Sequence, residues 1–263
     1  MVKDVIFGLE ISKLVLALGV MGYAAYSDLK TREIEPKLWL TGIIGAALTL
    51  IELYLVSGLS VALFKLLLLE LVFSLIIFPF LYVSYKMAML GGADMLAYLF
   101  LSLTVPWYPL FLGLRAITPV PILTLLHATI LAILIALVRL ISNLLNPEFR
   151  KFLKENKIGL LGTLHYGLSG KVMKAKEYLR TDFWYLIHEI ENGIVKKELR
   201  KRVSIDEEPE DHRKAVKNSI EKGIIREDQY LMVTYATPFL VYMTLGFLAT
   251  LVIGDYWVRA LFE

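Results

Sequence analysis

The chain has 263 residues, 57% of them apolar, a formal net charge of +3 and no cysteine. Without cysteine there is no disulfide, thiolate metal site or cysteine nucleophile, and four scattered histidines have no metal-ligand spacing. The charge is too small, and too little interleaved with aromatic residues, for a nucleic-acid groove, whereas the apolar share exceeds that of ordinary soluble domains.

The apolar residues come in runs. Leu14 to Tyr26, Leu38 to Leu50, Leu66 to Val83 and Pro121 to Val138 are nearly free of charge, the pattern of helices crossing ~30 Å of hydrocarbon. Six membrane helices are predicted, at about 6–27, 37–57, 60–84, 94–114, 119–144 and 230–254. The first is not expected to be a removable signal peptide, because the bulky, charged Asp28-Leu29-Lys30-Thr31-Arg32 follows it in place of a small-residue cleavage site. The fourth is interrupted by Pro106 and Pro109. It either kinks there and continues to Leu114, or reaches back through Met87-Ala88-Met89-Leu90, which would sink Asp94 below the membrane surface.

Residues 147–229 differ in kind: rich in Lys and Arg, with an acidic run from Asp206 to Asp211 and no stretch long enough to span. Tyr178 to Glu191 and Ile194 to Ile205 read as strands joined by an Asn192-Gly193 turn, and Asp211 to Lys222 as a helix stopped by Gly223. The predicted fold is thus an all-α polytopic membrane protein, six helices with a small α+β domain inserted between the fifth and sixth. Its parts are a transmembrane domain at 1–146, the inserted domain at 147–229 and a last helix within 230–263.

Short loops set the orientation. Lys30, Arg32 and Lys37 follow the first helix and Lys86 the third, while Val56-Ser57-Gly58-Leu59-Ser60 is uncharged and the loop after the fourth helix has only Arg115. The first and third loops and the inserted domain are therefore expected in the cytoplasm and the N-terminus outside. This parity brings Asp28, ending the first helix, and Asp94, opening the fourth, to the same face.

Carboxylates at membrane boundaries are costly and are common equipment of acid–base sites. Two that share one proton supply both a base for water and an acid for the leaving nitrogen, which is what peptide hydrolysis without a metal or a nucleophilic side chain requires. Gly91 and Gly92, lacking side chains, would let a substrate backbone lie against the approach to Asp94. The plainer alternative is that Gly91-Gly92 stops one helix, Asp94 caps the next and Asp28 is neutralised by Lys30 or Arg32.

Ser27-Asp28-Leu29-Lys30-Thr31-Arg32-Glu33-Ile34 resembles the first aspartate motif of the prepilin peptidases, an aspartate followed by a basic residue and Ile. Gly91-Gly92-Ala93-Asp94 is similar to their second, Gly, any residue, a hydrophobic residue, then Asp, with Ala93 where many relatives have Gly. The layout and the stretch from Thr237-Pro238-Phe239 to Gly246-Phe247 resemble the archaeal preflagellin (prearchaellin) peptidases. The resemblance implies a multi-pass membrane aspartyl endopeptidase with Asp28 and Asp94 as its catalytic pair and Gly91, Gly92 and Ala93 as motif support. It also implies membrane-anchored precursors with class III-type signal peptides as partners, cut after a short basic leader at the cytoplasmic face. No cofactor, metal or nucleic acid is expected, and the missing cysteines argue against the zinc-binding segment of relatives that also N-methylate. The rivals are a presenilin-like protease, whose nine helices and Pro-Ala-Leu motif are not found here, a transporter using the two aspartates as a cation site, and a non-catalytic assembly factor.

The remaining polar residues are expected to be mainly structural. Glu10, Lys13, Glu52 and Lys65 would snorkel or pair near the outer surface, with Glu10 and Lys13 able to meet on one helix face. Glu70, deeper, is a candidate third proton-handling group, and His127 is expected to bond a nearby backbone group. Trp107, Tyr108, Tyr256 and Trp257 read as interface anchors, Lys196, Lys197, Arg200, Lys201 and Arg202 as contacts for anionic headgroups, and the acidic run as a solvated loop or a docking place for the basic leader.

Overall fold

The computed structural model describes residues 1–87, 90–112, 118–200, 203–204 and 207–256. In chain order the elements are α1 (Val2–Lys30), a 3-10 turn (Pro36–Leu40), α2 (Thr41–Ser57), α3 (Val61–Ile76), α4 (Phe78–Lys86), α5 (Gly92–Thr104), a second 3-10 turn (Leu110–Leu112) and α6 (Val120–Leu145). Then come α7 (Pro147–Glu155), α8 (Leu160–Ser169), β1 (Gly170–Lys174), α9 (Ala175–Tyr178), β2 (Trp184–Leu186), β3 (His188–Glu191), β4 (Ile194–Leu199), α10 (Pro209–Glu221), β5 (Tyr230–Tyr235) and α11 (Phe239–Ile253). Two compact units result, Met1–Ala132 with Pro238–Glu263, and Ile133–Thr237, the boundary falling inside α6.

Four helical stretches of the described residues are long and apolar enough to cross a membrane: Val2–Lys30, Pro36–Ser57, Val61–Lys86 and Val120–Leu145. The other two expected spans are shorter. α5 has 13 residues and α11 has 15, which at ~1.5 Å per residue is about 20 and 22 Å against ~30 Å of hydrocarbon. Pro238 accounts for the shortened last helix: the predicted 230–254 helix is instead a strand to Tyr235 and a helix that begins after the proline. The strand is favoured by the aromatic and β-branched residues of Tyr230-Leu231-Met232-Val233-Thr234-Tyr235. Pro79, which has no N–H for the Leu75 carbonyl, similarly splits the predicted 60–84 helix into α3 and α4 at Ile77. The predicted extension of the fourth helix to Leu114 lies outside the described residues beyond Leu112.

In the first unit helices approach closely where a residue is small. At Gly45 of α2 a Cβ would overlap Thr104 of α5, and Thr49 donates to the Thr104 carbonyl at 3.1 Å. At Gly246 of α11 a Cβ would stand 2.6 Å from the Thr124 carbonyl oxygen and 2.8 Å from the Ala128 nitrogen of α6, so only glycine fits. Thr244 of α11 donates to the Met21 carbonyl of α1 at 3.0 Å. The core these contacts enclose includes Ala17, Met21, Ala24, Tyr98, Leu101, Met243 and Phe247.

The second unit is built on a three-stranded antiparallel sheet in the order β1-β5-β2, with Val172 opposite Met232 and Tyr185 opposite Thr234. β3 and β4 form a separate hairpin whose turn residues Asn192 and Gly193 both take positive φ, 52° and 70°, as a primed two-residue turn demands. α10 runs from Pro209, two residues earlier than expected, and Gly223 at φ +69° ends its C-terminal turn. The long strand expected at Tyr178 to Glu191 is divided: Tyr178 closes α9, and only Trp184–Leu186 and His188–Glu191 are strand. α7, α8 and β1 were not expected from the sequence.

Candidate active site

Asp28 sits in the last turn of α1, and the chain beyond it is folded back by its own hydroxyls. Ser27 Oγ donates to the Glu33 carbonyl at 2.8 Å, and Thr31 Oγ1 donates to the Ser27 carbonyl at 3.0 Å while accepting from the Glu33 N–H at 3.3 Å. The turn holds Arg32 at φ 60°, a left-handed conformation that costs a non-glycine residue ~1–3 kcal/mol. What that conformation secures is an ion pair: Arg32 Nη1 lies 3.6 Å from Asp28 Oδ1, and each side chain is 14% exposed. The other carboxylate oxygen, Oδ2, accepts from the Leu240 N–H at 3.3 Å. Leu240 is in the first turn of α11, which has no side-chain cap of its own. A carboxylate from α1 thus serves the positive end of a helix more than two hundred residues away in sequence.

Asp94 is the third residue of α5, whose N-cap is Gly91. Its carboxylate turns back toward the backbone of Gly91. A Cβ on Gly91 would lie 2.8 Å from Asp94 Oδ2, and one on Gly92 would lie 3.2 Å from the Tyr85 ring. The two glycines therefore make room for the Asp94 carboxylate and for Tyr85. Ala93 packs at the edge of the main core. The Asp94 carboxylate is close enough to that of Asp28 for the two to interact through charge, and α1, α5 and α11 pack on one another around them. Sequence reasoning paired the aspartates but missed the Leu240 amide and Tyr85. It named Arg32 only as one of two neutralising cations; the other, Lys30, lies over the Tyr26 ring at 5.7 Å. The one signal for Leu240 was Pro238, which sets where α11 begins.

The remaining candidates are elsewhere. Glu70 interacts electrostatically with Asp255, just past the C-terminal end of α11, whereas Asp28 meets the N-terminal end of that helix. About 20 Å of helix separates the two places, so Glu70 does not join the aspartates. Glu10, Lys13 and Glu52 do not snorkel: Lys13 is 2% exposed and Glu52 is fully buried. Lys13 pairs with Glu52 at 2.5 Å and stands over Trp107 at 4.5 Å, and Trp107 Nε1 donates to Glu52 at 3.0 Å. Glu10 accepts from the N–H groups of Leu110 and Phe111, capping the second 3-10 turn. These bonds tie the proline-broken segment after α5 to α1 and α2, because a buried ion needs a partner in full contact. Trp107 and Tyr108 are accordingly core residues, not interface anchors; Tyr108 donates to the Leu251 carbonyl. Trp257 lies outside the described residues, and Tyr256 is 78% exposed. His127 Nδ1 meets the Thr250 hydroxyl at 2.9 Å.

In the second unit the acidic run is in part structural. Glu207 accepts from Arg200 and from the Ser204 N–H, and its second oxygen meets His212 Nε2 at 2.8 Å. Arg200 also donates to the Leu186 carbonyl, so it is an internal tie and not a headgroup contact; Lys201, Arg202 and Asp206 lie outside the described residues. A cavity of about 700 Å³ lined by Phe152, His188, Lys197, Arg226 and Tyr230 contains neither aspartate. Among the described residues no three His, Asp or Glu side chains are grouped to hold a metal ion.

Two family models match the chain, one after the other. Residues 15–139 match the type IV leader peptidase family, and residues 162–256 match the archaeal peptidase A24 C-terminus, type II. The first match contains Asp28, Arg32, Gly91, Gly92 and Asp94; the second contains Leu240. A comparison with curated proteins gives no match.

Proposed function

Because the chain belongs to the type IV leader peptidase family, and is therefore an aspartic peptidase of the membrane, we propose that Asp28 and Asp94 are its catalytic pair. The substrates proposed are preflagellin (prearchaellin) or type IV prepilin-like precursors, relieved of a short basic leader at the cytoplasmic face. The observation that carries this reading is the approach of the two carboxylates, from helices whose nearest ends, Lys30 and Gly92, are 62 residues apart in sequence, to within charge reach of each other.

The chemistry follows from one proton held between two carboxyls. The ionised member takes a proton from water as its oxygen attacks the scissile carbonyl carbon. The protonated member gives its proton to the leaving nitrogen as the carbon–nitrogen bond breaks, and the two have then exchanged roles. Arg32 and the Leu240 amide orient Asp28, so that carboxylate is not free to rotate away.

We further propose six membrane helices, α5 and α11 being the short ones, with the N-terminus outside and the inserted domain in the cytoplasm. The membrane-bound part would be 1–146 and 230–263 and the inserted domain 147–229, as the sequence suggests. Incubating the detergent-solubilised protein with candidate precursors and sequencing the new N-termini tests the activity. Asp28→Asn and Asp94→Asn should each lower cleavage by at least about 10²-fold while circular dichroism shows the fold retained. Full processing by either variant would refute the assignment.

A further inference from the structure

α8 carries an apolar face that the rest of its unit leaves open. Leu160, Leu161 and Leu164 are 77%, 83% and 40% exposed, and with half-buried Leu168 they occupy one side of the helix. Its C-terminal end is fastened to α6. Tyr166 and Gly167 are buried, and a Cβ on Gly167 would lie 2.5 Å from the Leu140 side chain. Asn143 donates to the carbonyls of Gly167 at 2.9 Å and Gly170 at 2.8 Å, and Arg139 donates to that of Ser169 at 3.4 Å.

The attachment decides what the open face meets. α6 is one of the helices long and apolar enough to cross a membrane, and its exposed apolar side chains, among them Val138, Ile141 and Leu145, continue to its last residue. Leu140 is five residues short of that end, about 8 Å along the axis. α8 is therefore fixed at a level where α6 still presents side chains suited to hydrocarbon. With 10 residues it is only ~15 Å long, so all of its leucines stay near that level. Lys154 and Lys157, both exposed in the segment leading into α8, have the length and charge to reach lipid phosphates.

We propose that α8 is a membrane-interface helix, its Leu160–Leu161–Leu164 face lying at the boundary between headgroups and acyl chains of the leaflet in which α6 ends. Its occupant is the lipid bilayer. The inserted domain would then be held to the membrane by this helix as well as by the chain connections that enter and leave it.

The absence of native cysteine makes the test direct. Single cysteines at positions 160, 161 and 164, with Ile141→Cys as lipid reference and Glu177→Cys as water reference, are spin-labelled in the full chain and reconstituted in phosphatidylcholine bilayers. The ratio of collisions with dissolved oxygen to collisions with a water-soluble nickel chelate should resemble that at 141 at all three leucine positions, several-fold above the ratio at 177. A ratio at those positions equal to that at 177 would overturn the proposal. So would shielding from both reagents, or spin–spin broadening that disappears on dilution with unlabelled protein, which would assign the face to a second copy of the chain.

Discussion

Around Asp94 the space between atoms is set by what Gly91 lacks. Its φ of −68° and ψ of 144° suit any residue, so alanine there would not strain the backbone. Its methyl group would instead press on Asp94 Oδ2, 2.8 Å away. Gly91→Ala should therefore leave the melting temperature nearly unchanged and lower kcat by roughly 10²-fold, the effect of moving a catalytic group by about 1 Å. Steady-state kinetics on a processed precursor would check it, and an unchanged kcat would show that Asp94 need not point as it does. Asp28 also has a structural bond, capping α11, and Asp94 turns back against the first turn of α5. The plain and the catalytic reading of these residues are thus compatible: the bond that caps α11 also aims the Asp28 carboxylate. The proposal that Asp28 and Asp94 act together came from residue type and motif in the sequence. That Arg32, and not Lys30, pairs with Asp28 was not legible there, since the choice depends on a left-handed turn held by two hydroxyls.

Elements of the inserted domain depend on two neutral histidines. His188 Nε2 accepts from the Met232 N–H of β5, and its Nδ1 donates to the Lys196 carbonyl of β4. His212 of α10 accepts from the Leu186 N–H of β2 at Nδ1 and meets Glu207 through Nε2. A protonated ring has no lone pair for either amide. Burial pushes His188 down to about 4, and burial, with the Arg200 charge nearby, lowers His212 as well. Between pH 6.5 and 4 the unfolded chain therefore binds protons that these folded histidines refuse, so stability falls as the pH falls through that window, by up to about 3 kcal/mol for His188. Hydrogen exchange at the Met232 and Leu186 amides, corrected for its intrinsic pH dependence, should quicken across the window; constant protection would remove the idea. The sequence showed the hairpin at Asn192-Gly193 and the stop at Gly223, because those are local backbone requirements. It did not show β1 pairing with β5, because that pairing joins residues about sixty apart and rests on burial.

At the scale of the whole molecule, two helices too short for a bilayer carry the ends that matter most: α5 begins at the Gly-Gly-Ala-Asp segment, and α11 begins beside Asp28. A short helix lets its end and the adjoining loop lie within the membrane boundary, where a precursor's leader and its hydrophobic helix meet. The proposed topology has a direct consequence in this cysteine-free chain. Single cysteines at Lys30 and Lys86 should react with an impermeant maleimide only from the cytoplasmic side, and one at Ser57 only from the other; opposite faces for 30 and 86 would separate the two aspartates and end the proposed mechanism. The sequence by itself determined the membrane class, the two motifs and the inserted domain, because hydropathy, residue type and turn chemistry act over a few residues. Only the tertiary structure decided that Glu70 lies at the far end of α11 from Asp28, that Lys13, Glu52 and Trp107 form one buried group, and that Asp28 caps α11. Each of those depends on which helices touch, and contact between distant segments is settled by packing and by the need to pair every buried charge, which no local pattern encodes.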